Sequence, residues 1–587
     1  MIDNIFMVIK KTKNKLNRSI FDIFTLFKEF ALLNLIYYPT KFKDIFFFKS
    51  LVLTIFNKIS FIFNYQSIAK KEFLRTFPVS LKGNIFQNPL YFGKDKSDFF
   101  IRIHTDSRRY SITNNVDDLQ NLSLEIIKGE KKISSFVLKN EDESLIPISG
   151  EKVKITELNK INQKTIIYET KNKFSYFFGA KDSIIELDSK KDFIIGNPLL
   201  LKQKKETKND LVILLFIDGL VDYEILGFKS LSEIMPNTHN FFDVGYEFKN
   251  NFANSEWTMP SFANIFTGLY TQKHGLFHPW SKKGLPKDID TIAELFSKNG
   301  YLTFQSGGNR MINPSFGYSR GFDRNLYQRE MNAIQTIENF IENQNTFSER
   351  STFSFLKLLD LHHDLGYLNH ISNTEENSKI GKEDIEYSKI KSVFKKYDQK
   401  RKSIYIKKLK SLDIRLGLLY SYLNSLKGKN ITFILCSDHG QSFLNNDSFL
   451  LSSKRTKVPF FYKSNTHKSL TKVYEFTENV DIFSTILFDS DIKINKKYID
   501  SNLPSILSGQ VKRNFSFSQS IYPQQTYKAA FRSKDKEMFL ETKRKTDNNG
   551  ICFIGNRNDY DLVLNGEKYN GDLPREYEFF LKSILEN

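Results

Sequence analysis

Four side chains with the chemistry of a metal-dependent reaction follow predicted strands or open a predicted helix. Asp218 follows the apolar run 211–217, and Asp438 and His439 follow the apolar run 431–436 after one serine. Both runs have the length and composition of buried strands in a parallel sheet. Thr258 precedes a helical segment, near the positive end of the helix dipole, where anions are favoured. Because open α/β sheets bind ligands at the carboxyl ends of their strands, we expect these side chains to converge.

Together the four residues supply two carboxylates, an imidazole and a hydroxyl. This ligand set suits one divalent cation, namely Mn²⁺, Mg²⁺, Ca²⁺ or Zn²⁺. A bound cation lowers the pKa of a hydroxyl, which would turn Thr258 into a usable nucleophile. The segment 359–364 also follows a predicted strand and contains His362 and His363, with Asp360 as a further, weaker candidate ligand. Taken singly, a threonine before a helix is far more often an N-cap, so the shared position at strand ends carries the argument.

Strand and helix patterns alternate from about residue 209 to about residue 490. Apolar runs of strand length occur at 301–304 and 353–359, a helical pattern occurs at 292–296, and a lysine-rich insertion at 370–427 is expected to be helical. This alternation predicts an α/β fold with three layers, in which helices cover both faces of a mostly parallel sheet.

The chain is long enough for several domains, because 587 residues exceed what one hydrophobic core usually serves. Residues 1–81 interleave basic residues with Phe, Ile and Leu at helical spacing, which predicts a basic amphipathic segment. Residues 82–205 show short alternating runs between turn residues, which predict a small β-rich domain with a sandwich architecture. The α/β region follows at 209–510, and further strand-like runs occur within 511–587.

Charge and terminal sequence restrict the classes of function. Lysine and arginine outnumber aspartate and glutamate by 86 to 67, which gives a net charge of +19 and suits anionic partners. The excess is spread along the chain without a recognition motif, so we expect no specific nucleic-acid binding. The first residues lack the order of a secretory signal, and no apolar run approaches the roughly 18 residues of a spanning helix. We therefore expect a cytoplasmic protein.

The basic amphipathic pattern of residues 1–80 has two interpretations. Its apolar stripes fit packing against the rest of the protein, which is the commoner case. They also fit helices that lie on an anionic membrane surface, which would place a cytoplasmic protein at the inner membrane surface through a peripheral contact. The two cysteines, Cys436 and Cys552, lie far apart and indicate neither a disulfide framework nor a cysteine metal site.

The order of motifs from about 209 to 535 resembles the sulfatase family of the alkaline phosphatase superfamily. The resemblance rests on Ile217-Asp218-Gly219, Thr258-Met259-Pro260-Ser261, Thr267-Gly268, His274-Gly275, Gly321-Phe322-Asp323, Asp360-Leu361-His362, Ser437-Asp438-His439-Gly440, Val458-Pro459 and the segment 480–487. It implies an alkaline phosphatase/sulfatase-like three-layer fold that ends in a small C-terminal sheet subdomain at 511–587. It also implies a metal-dependent enzyme.

The nucleophile motif departs from that of true sulfatases. Sulfatases convert a cysteine or serine to formylglycine, a step that threonine cannot take, and the arginine of their motif is Phe262 here. A threonine instead resembles the phosphodiesterase and the phosphoglycerol or phosphoethanolamine transferase branches of the superfamily. The resemblance therefore implies a phosphate-ester hydrolase or transferase that passes through a covalent intermediate on Thr258.

Further roles follow for polar residues near these motifs. His362 or His363 would protonate the leaving alcohol or hold the phosphate. Arg310, Lys454 and Lys457 are candidates to bind the nonbridging oxygens. We expect the substrate to be a phosphodiester or a phospho-substituted glycan or lipid, such as a surface glycan or a lipid-linked precursor made on the inner face of the membrane.

Two other functions stay open on the sequence. A sulfate-ester hydrolase fits the family resemblance, but Thr258 argues against it. A noncatalytic member would bind a glycan or a membrane surface through its β-rich domain and its basic N-terminal segment. The presence of Asp218, Thr258, Asp438 and His439 together argues against that alternative.

Overall fold

The computed structural model describes residues 123–580 with gaps at 130, 160–162, 279–283, 313–315, 329–330, 363–395, 445–448, 466, 468, 495–498, 548–549, 553, 555 and 579. The predicted amphipathic segment 1–81 lies outside the described residues, as do residues 82–122 of the β-rich region and His363. Within the described ranges, no helix is both long enough and apolar enough to cross a membrane.

The strands and helices of the described residues are numbered in chain order. The strands are β1 (Ser123–Ile127), β2 (Lys131–Asn140), β3 (Ser144–Leu158), β4 (Gln163–Gly179), β5 (Ser183–Ile195), β6 (Leu199–Leu200), β7 (Leu211–Ile217), β8 (Gly245–Phe252), β9 (Leu302–Gly307), β10 (Arg324–Gln328), β11 (Thr352–Leu358), β12 (Ile431–Cys436), β13 (Phe460–Ser464), β14 (Leu470–Glu478), β15 (Phe515–Ser520), β16 (Thr526–Ser533), β17 (Glu537–Lys545), β18 (Tyr560–Leu564) and β19 (Glu567–Tyr569). The α-helices are α1 (Pro236–Phe241), α2 (Thr258–Thr267), α3 (Thr271–His274), α4 (Ile292–Lys298), α5 (Ala333–Thr346), α6 (Gln399–Ser425), α7 (Ser453–Thr456) and α8 (Asp481–Asp489).

A mostly parallel sheet forms the centre of the molecule. Its strand order is β1-β10-β9-β11-β7-β12-β13-β8-β14. The five neighbours β10, β9, β11, β7 and β12 are parallel to one another, and β8 is parallel to β14. Strands β1 and β13 run antiparallel to their neighbours. The predicted strands 211–217 and 431–436 are β7 and β12, with the same bounds.

Helices cover both faces of this sheet because the side chains of its buried strands alternate between two apolar clusters. Val212, Leu214 and Phe216 of β7 pack on the face that carries α2, α4 and α8. The intervening residues of β7 pack on the opposite face, against α1, α5 and α6. The alternation follows from the two-residue repeat of a strand that is buried on both sides. The structure thus confirms the predicted three-layer α/β fold.

The β-rich region contains one antiparallel sheet, in the order β2-β5-β3-β4, with β6 paired to β3. Its apolar core includes Ile146, Ile155 and Leu187. A second sheet that would complete the predicted sandwich is not found among the residues that the structure describes.

Strand β1 differs from the prediction, which assigned residues 123–127 to the β-rich domain. It pairs with β10 at the edge of the central sheet instead. The reason lies in Glu125, whose buried carboxylate accepts hydrogen bonds from Arg324 Nε of β10 at 2.9 Å and from the Tyr176 hydroxyl of β4 at 2.6 Å. A buried carboxylate needs such partners, so this contact fixes β1 on the central sheet and joins it to the β-rich region.

The C-terminal part forms a five-stranded antiparallel sheet in the order β15 to β19. Its apolar core contains Phe517, Tyr527 and Leu540. Arg513, just before β15, forms an ion pair with Asp481 at the start of α8 through a 2.6 Å contact of its Nε. This buried pair anchors the C-terminal sheet to the helix layer that also carries α2.

Candidate active site

The first two site residues come from adjacent parallel strands. Phe216 of β7 lies in register with Cys436 of β12, so the two strands end at the same edge of the sheet. Asp218 follows β7 directly, and Asp438 follows β12 after one residue. Both carboxylates are fully buried, at 1% and 0% exposure. The strand register therefore brings together two carboxylates that are 220 residues apart in the chain, as the sequence predicts.

Backbone contacts fix the Asp438 carboxylate. Its Oδ1 accepts hydrogen bonds from the N–H groups of Gly219 and His439, both at 2.9 Å. Gly219 has φ +71°, a left-handed backbone conformation that favours glycine. The side-chain amide of Asn479 donates to the carbonyl oxygen of Ser437 at 2.8 Å and holds the same loop from the other side. Sequence reasoning overlooked Asn479 because one asparagine before a helix has no distinctive pattern.

Thr258 is the first residue of α2, and its side chain does not cap the helix. The N-cap position is Trp257, whose extended backbone makes no side-chain capping bond. The Thr258 hydroxyl instead donates to Asp218 Oδ2 at 3.1 Å and lies 3.4 Å from His439 Nε2. The helix ends at Gly268, which adopts the left-handed conformation expected of a C-cap glycine. The ordinary N-cap role for Thr258 is therefore excluded, and its hydroxyl lies between two candidate metal ligands.

The tautomer of His439 follows from its contacts. Its Nδ1 lies 2.8 Å from the carbonyl oxygen of Gly440. A carbonyl oxygen only accepts hydrogen bonds, so Nδ1 carries the proton, and Nε2 of the neutral ring has a free electron pair. That Nε2 lies 3.2 Å from Asp438 Oδ2 and faces Thr258. An electron pair beside a carboxylate oxygen is repulsive unless a cation or a proton lies between them.

Asp218 carries the clearest electrostatic signal of the site. Burial, together with repulsion from Asp438, raises its pKa to about 8. The imidazole of His439 and hydrogen bonds from Thr258 and Asn309 act in the opposite direction. The Asn309 amide donates to Asp218 Oδ2 at 2.5 Å. Two buried carboxylates that repel each other are unstable without a compensating positive charge.

The residues fit a divalent cation. Asp218, Asp438 and His439 each offer a ligand atom, and these atoms lie within 4.8 Å of one another. Asp218 Oδ1 and Asp438 Oδ2 are buried and accept no hydrogen bond among the described residues. Carboxylate oxygens left without donors are unusual in a folded protein, and a bound cation would satisfy them. The set of two carboxylates, an imidazole and the Thr258 hydroxyl matches the ligand set expected from the sequence.

Asp360 is placed elsewhere than the metal-ligand prediction required. Its Oδ1 accepts from Arg415 Nη1 of α6 at 2.7 Å, and it is not part of the Asp218, Asp438 and His439 cluster. The ion pair explains this, because the guanidinium already compensates the buried charge. His362 follows β11, the parallel neighbour of β7, and is half-buried at the same edge of the sheet.

The three basic residues predicted to bind the substrate anion lie in different surroundings. Lys454 of α7 is exposed to solvent. Lys457 forms an ion pair with Glu224 at 2.8 Å, within a charged cluster that fixes the loop after β7. The backbone of Arg310 lies in a short 3-10 turn, and its side chain is outside the described parts of the chain. Lys454 is exposed and Lys457 is already paired, so these contacts lend no support to their anion-binding roles, which stay predictions.

Two residues that the sequence did not single out lie at the site. They are Arg455 and Asn309, which are next in sequence to the predicted residues Lys454 and Arg310. Arg455 is only 4% exposed and donates to the Glu256 carbonyl oxygen at 3.1 Å. Its guanidinium also interacts electrostatically with the Asp438 carboxylate. Desolvation lowers its pKa to about 10, so it remains charged at neutral pH. Asn309 binds Asp218, as described above. The motif spacing located both segments, but it could not show which side chain of a turn points inward.

Phe262 shows why the sulfatase arginine is missing. It is completely buried and stacks on Phe355, with a distance of 4.7 Å between ring centroids. Phe216 and Tyr318 pack against its other sides, at 5.1 and 5.3 Å. An arginine here would place its guanidinium inside the apolar cluster beneath α2. The sequence position is thus part of the core in this protein.

Comparison with known proteins gives a family for the central part of the chain. The sulfatase family model matches residues 210–488, a segment that contains Asp218, Thr258, Asp438 and His439. No curated protein matches the chain significantly.

The chain also matches solved structures at low sequence identity. A phosphonate monoester hydrolase from Silicibacter pomeroyi is 13% identical, with 64% of this chain and 93% of that chain covered and a TM-score of 0.46. A 2-O GAG sulfatase is 14% identical, with coverage of 64% and 90% and a TM-score of 0.46. A protein of the alkaline phosphatase superfamily from Vibrio parahaemolyticus is 16% identical, with coverage of 65% and 86% and a TM-score of 0.43. The family model shows that residues 210–488, which hold Asp218, Thr258, Asp438 and His439, form a domain of the sulfatase family.

Proposed function

We propose that this sulfatase-family protein is a metal-dependent phosphoester hydrolase or phosphotransferase that uses Thr258 as its nucleophile. One observation carries the proposal. The Thr258 hydroxyl is not used as a helix cap and lies 3.1 Å from Asp218 Oδ2 and 3.4 Å from His439 Nε2. A hydroxyl among metal-ligand atoms at a helix N-terminus is placed to attack an anionic ester.

The reaction would proceed in two displacements. Thr258 Oγ1 forms a bond to phosphorus, the bond from phosphorus to the leaving alcohol breaks, and a phosphothreonine results. The hydroxyl proton leaves along the existing hydrogen bond to Asp218 and passes to solvent. The departing oxygen takes a proton from His362 or His363, which are the candidate general acids after β11. The oxygen of water or of an acceptor alcohol then bonds to phosphorus, the bond from phosphorus to Thr258 Oγ1 breaks, the proton of the attacking group returns to the imidazole that protonated the leaving alcohol, and Thr258 Oγ1 takes up a proton from solvent.

Positive charge is needed where negative charge develops. A divalent cation held by Asp218, Asp438 and His439 would lower the pKa of the Thr258 hydroxyl and neutralise the phosphate. Arg455, buried near Asp438, is our candidate for binding a nonbridging oxygen, in preference to Lys454 and Lys457. The backbone N–H groups in the first turn of α2 add a fixed positive potential on the same side.

Two residues favour phosphate over sulfate. Thr258 cannot become formylglycine, the group on which sulfatases depend. Phe262 is fully buried in the core, so the arginine that accompanies formylglycine has no counterpart at this position. Sulfate-ester hydrolysis remains the second candidate, because it is the reaction named by the family. We predict that the substrate is a phospho-substituted glycan or lipid precursor. We also predict that the protein is cytoplasmic and acts at the inner membrane surface.

The test is a substrate panel on the purified full-length protein. Aryl phosphate monoester, aryl phosphodiester and aryl sulfate are each assayed with Mn²⁺, Mg²⁺, Ca²⁺ or Zn²⁺ and with chelator. We expect phosphoester turnover that is lost with chelator and falls by at least about 10³-fold in Thr258→Ala and Thr258→Val. Sulfate turnover that survives Thr258→Ala would refute the proposal.

Matched controls separate the nucleophile from the fold. Thr267→Val alters the last residue of the same helix, where the hydroxyl donates to the Ala263 carbonyl oxygen at 2.7 Å, away from the metal ligands. It should retain activity within about threefold. Metal binding without turnover of any ester would favour the noncatalytic alternative.

A further inference from the structure

A groove of about 800 Å³ lies between β14, the last strand of the central sheet, and the turn that joins β16 to β17. We propose that this groove binds an anionic oligosaccharide, a sugar chain that carries phosphate, sulfate or carboxylate groups. The inference rests on the proposed function, because the bound sugar would be the part of an ester substrate that extends beyond the reacting group.

Uncompensated positive charge is the first argument. Lys512, Lys534 and Lys536 line the groove and are exposed, and none of them forms an ion pair among the described residues. Asp535 is the only exposed carboxylate among the lining residues, so these four groups carry a surplus of two positive charges. Such a local surplus attracts polyanions at moderate ionic strength.

The other charged lining groups are already paired, which leaves the lysines free for a ligand. The Glu537 carboxylate accepts from the backbone N–H of Ser453 at 3.1 Å and from Arg532 Nε at 3.1 Å. Glu475 accepts from the backbone N–H of Ser505 at 3.1 Å. Arg513 forms the buried ion pair with Asp481 described above. None of these contacts involves the side chains of the three lysines.

An exposed aromatic ring is the second argument. Tyr474 lies on β14 at the groove and is 66% exposed, although a tyrosine usually buries much of its ring. The amide of Asn514 also lines the groove and can exchange hydrogen bonds with hydroxyl groups, whereas the Asn565 amide already bonds the backbone of Glu537 and Asp535. A flat apolar ring beside a neutral amide and free ammonium groups fits a sugar that carries anionic substituents.

The aromatic pattern favours a sugar chain over a single-stranded nucleic acid. Nucleic-acid grooves stack successive bases on several accessible rings. Here Phe476, the other ring on this part of β14, is half-buried and stacks against Phe252 with centroids 6.1 Å apart. Phe252 itself is buried and covered by Arg532. Tyr474 alone offers an open ring face among the lining residues.

Along the chain, the groove adjoins the two segments that lead to Arg455 and to Thr258. Ser453, the first residue of α7, lines the groove, and Arg455 lies two residues later near Asp438. At about 1.5 Å of rise per helical residue, the two positions are close in space. Phe252 ends β8 at the groove, and the loop after it leads to Thr258. We link the groove to the ester substrate of the proposed function because these two segments connect it to the site residues.

The experiment measures binding in a full-length Thr258→Ala protein, which prevents turnover. Isothermal titration calorimetry uses a dextran sulfate oligosaccharide, neutral dextran of the same length, and single-stranded poly(A). The test variant is Lys534→Ala with Lys536→Ala. Its control is Lys543→Ala with Lys545→Ala, two exposed lysines with the same spacing on β17, outside the groove.

We expect the groove pair to weaken dextran sulfate binding about tenfold and the control pair to change it less than twofold. Tyr474→Ala should weaken binding about fivefold, as loss of a stacking ring does, and neutral dextran should bind far more weakly. Equal losses in both lysine pairs, no effect of Tyr474→Ala, or equally tight poly(A) binding with the same dependence on Tyr474 would each overturn the proposal.

A separate readout keeps this inference apart from the proposed function. In the chain with Thr258 intact, the groove pair should leave turnover of a small aryl phosphodiester unchanged, because that substrate does not reach the groove. Loss of small-substrate turnover in Thr258→Ala concerns only the proposed function, whereas loss of oligosaccharide binding in the groove pair concerns only the groove.

Discussion

Asp218→Asn should stabilise the metal-free protein while it abolishes metal binding. The wild-type carboxyl has a pKa of about 8 in the folded state against an ordinary value of 3.8. Folding therefore costs nothing extra when the carboxyl is protonated in both states, below about pH 4. The cost grows as pH rises from 4 to 8, because the unfolded chain ionises and the folded chain resists ionisation.

The magnitude follows from that interval. Each pH unit corresponds to about 1.4 kcal/mol, so the buried carboxyl destabilises the metal-free protein by roughly 5 kcal/mol at pH 8. Asparagine is neutral and nearly isosteric, and its oxygen can still accept from Thr258 and Asn309 at the position of Oδ2. Because the amide keeps part of the desolvation cost, we expect a gain of about 2–4 kcal/mol at pH 8 and almost none at pH 4.

The assay is urea unfolding of wild type and variant in chelator and in saturating metal, at pH 5, 7 and 8.5. In chelator the variant should be the more stable protein, increasingly so at higher pH. In metal only the wild type should gain stability. Asp360→Asn is the matched control: it removes the charged partner of half-buried Arg415, so it should destabilise the protein whether or not metal is present.

The opposite outcome would refute the electrostatic account. If Asp218→Asn is less stable than wild type in chelator at pH 8.5, the two carboxylates do not repel each other as described. If metal stabilises wild type and variant equally, Asp218 is not a ligand.

Three further predictions follow from the same site. Phe262→Arg should lower the free energy of unfolding by at least about 3–5 kcal/mol in urea titrations, as removal of a buried aromatic ring does, whereas Phe262→Leu should cost about 1.5 kcal/mol or less. Arg455→Ala should reduce kcat/KM for a phosphodiester about 10²-fold and Lys454→Ala less than twofold; comparable losses would contradict the placement of Arg455. Metal must displace the Asp218 proton, so metal binding should weaken as pH falls. The dissociation constant from calorimetry should rise about tenfold per pH unit below pH 8 and level off above it. A constant value from about pH 6 to 9 would count against Asp218 as a ligand.

The central sheet and the metal ligands could be predicted from the sequence because their signals are local. A strand that is buried on both faces is a continuous apolar run, so β7 and β12 have the predicted bounds. The side chains that follow such strands in parallel must meet at one edge, which brings Asp218 to Asp438 and His439. Thr258 is a candidate from its place before a helix and its company with these ligands, and the family resemblance supports its role as the nucleophile.

Contacts made by tertiary structure alone could not be predicted. Arg455 and Lys454 are adjacent in a short basic helix, and only packing shows that the first is buried and the second exposed. Asp360 looks like a strand-end ligand until α6 brings Arg415 against it. Strand β1 alternates like the β-rich strands, but the ion pair of Glu125 with Arg324 draws it to the central sheet.

The most direct test of the central claim is to trap the covalent intermediate. Full-length protein with bound metal is mixed with an aryl phosphodiester, quenched in acid during turnover, digested and analysed by mass spectrometry. We predict one phosphoryl substituent on the peptide that contains Thr258, located on Thr258 by fragmentation and absent from chelated protein and from Thr258→Val. Steady product formation with Thr258 unmodified in the quenched enzyme, or a phosphoryl group on a different residue, would contradict the account.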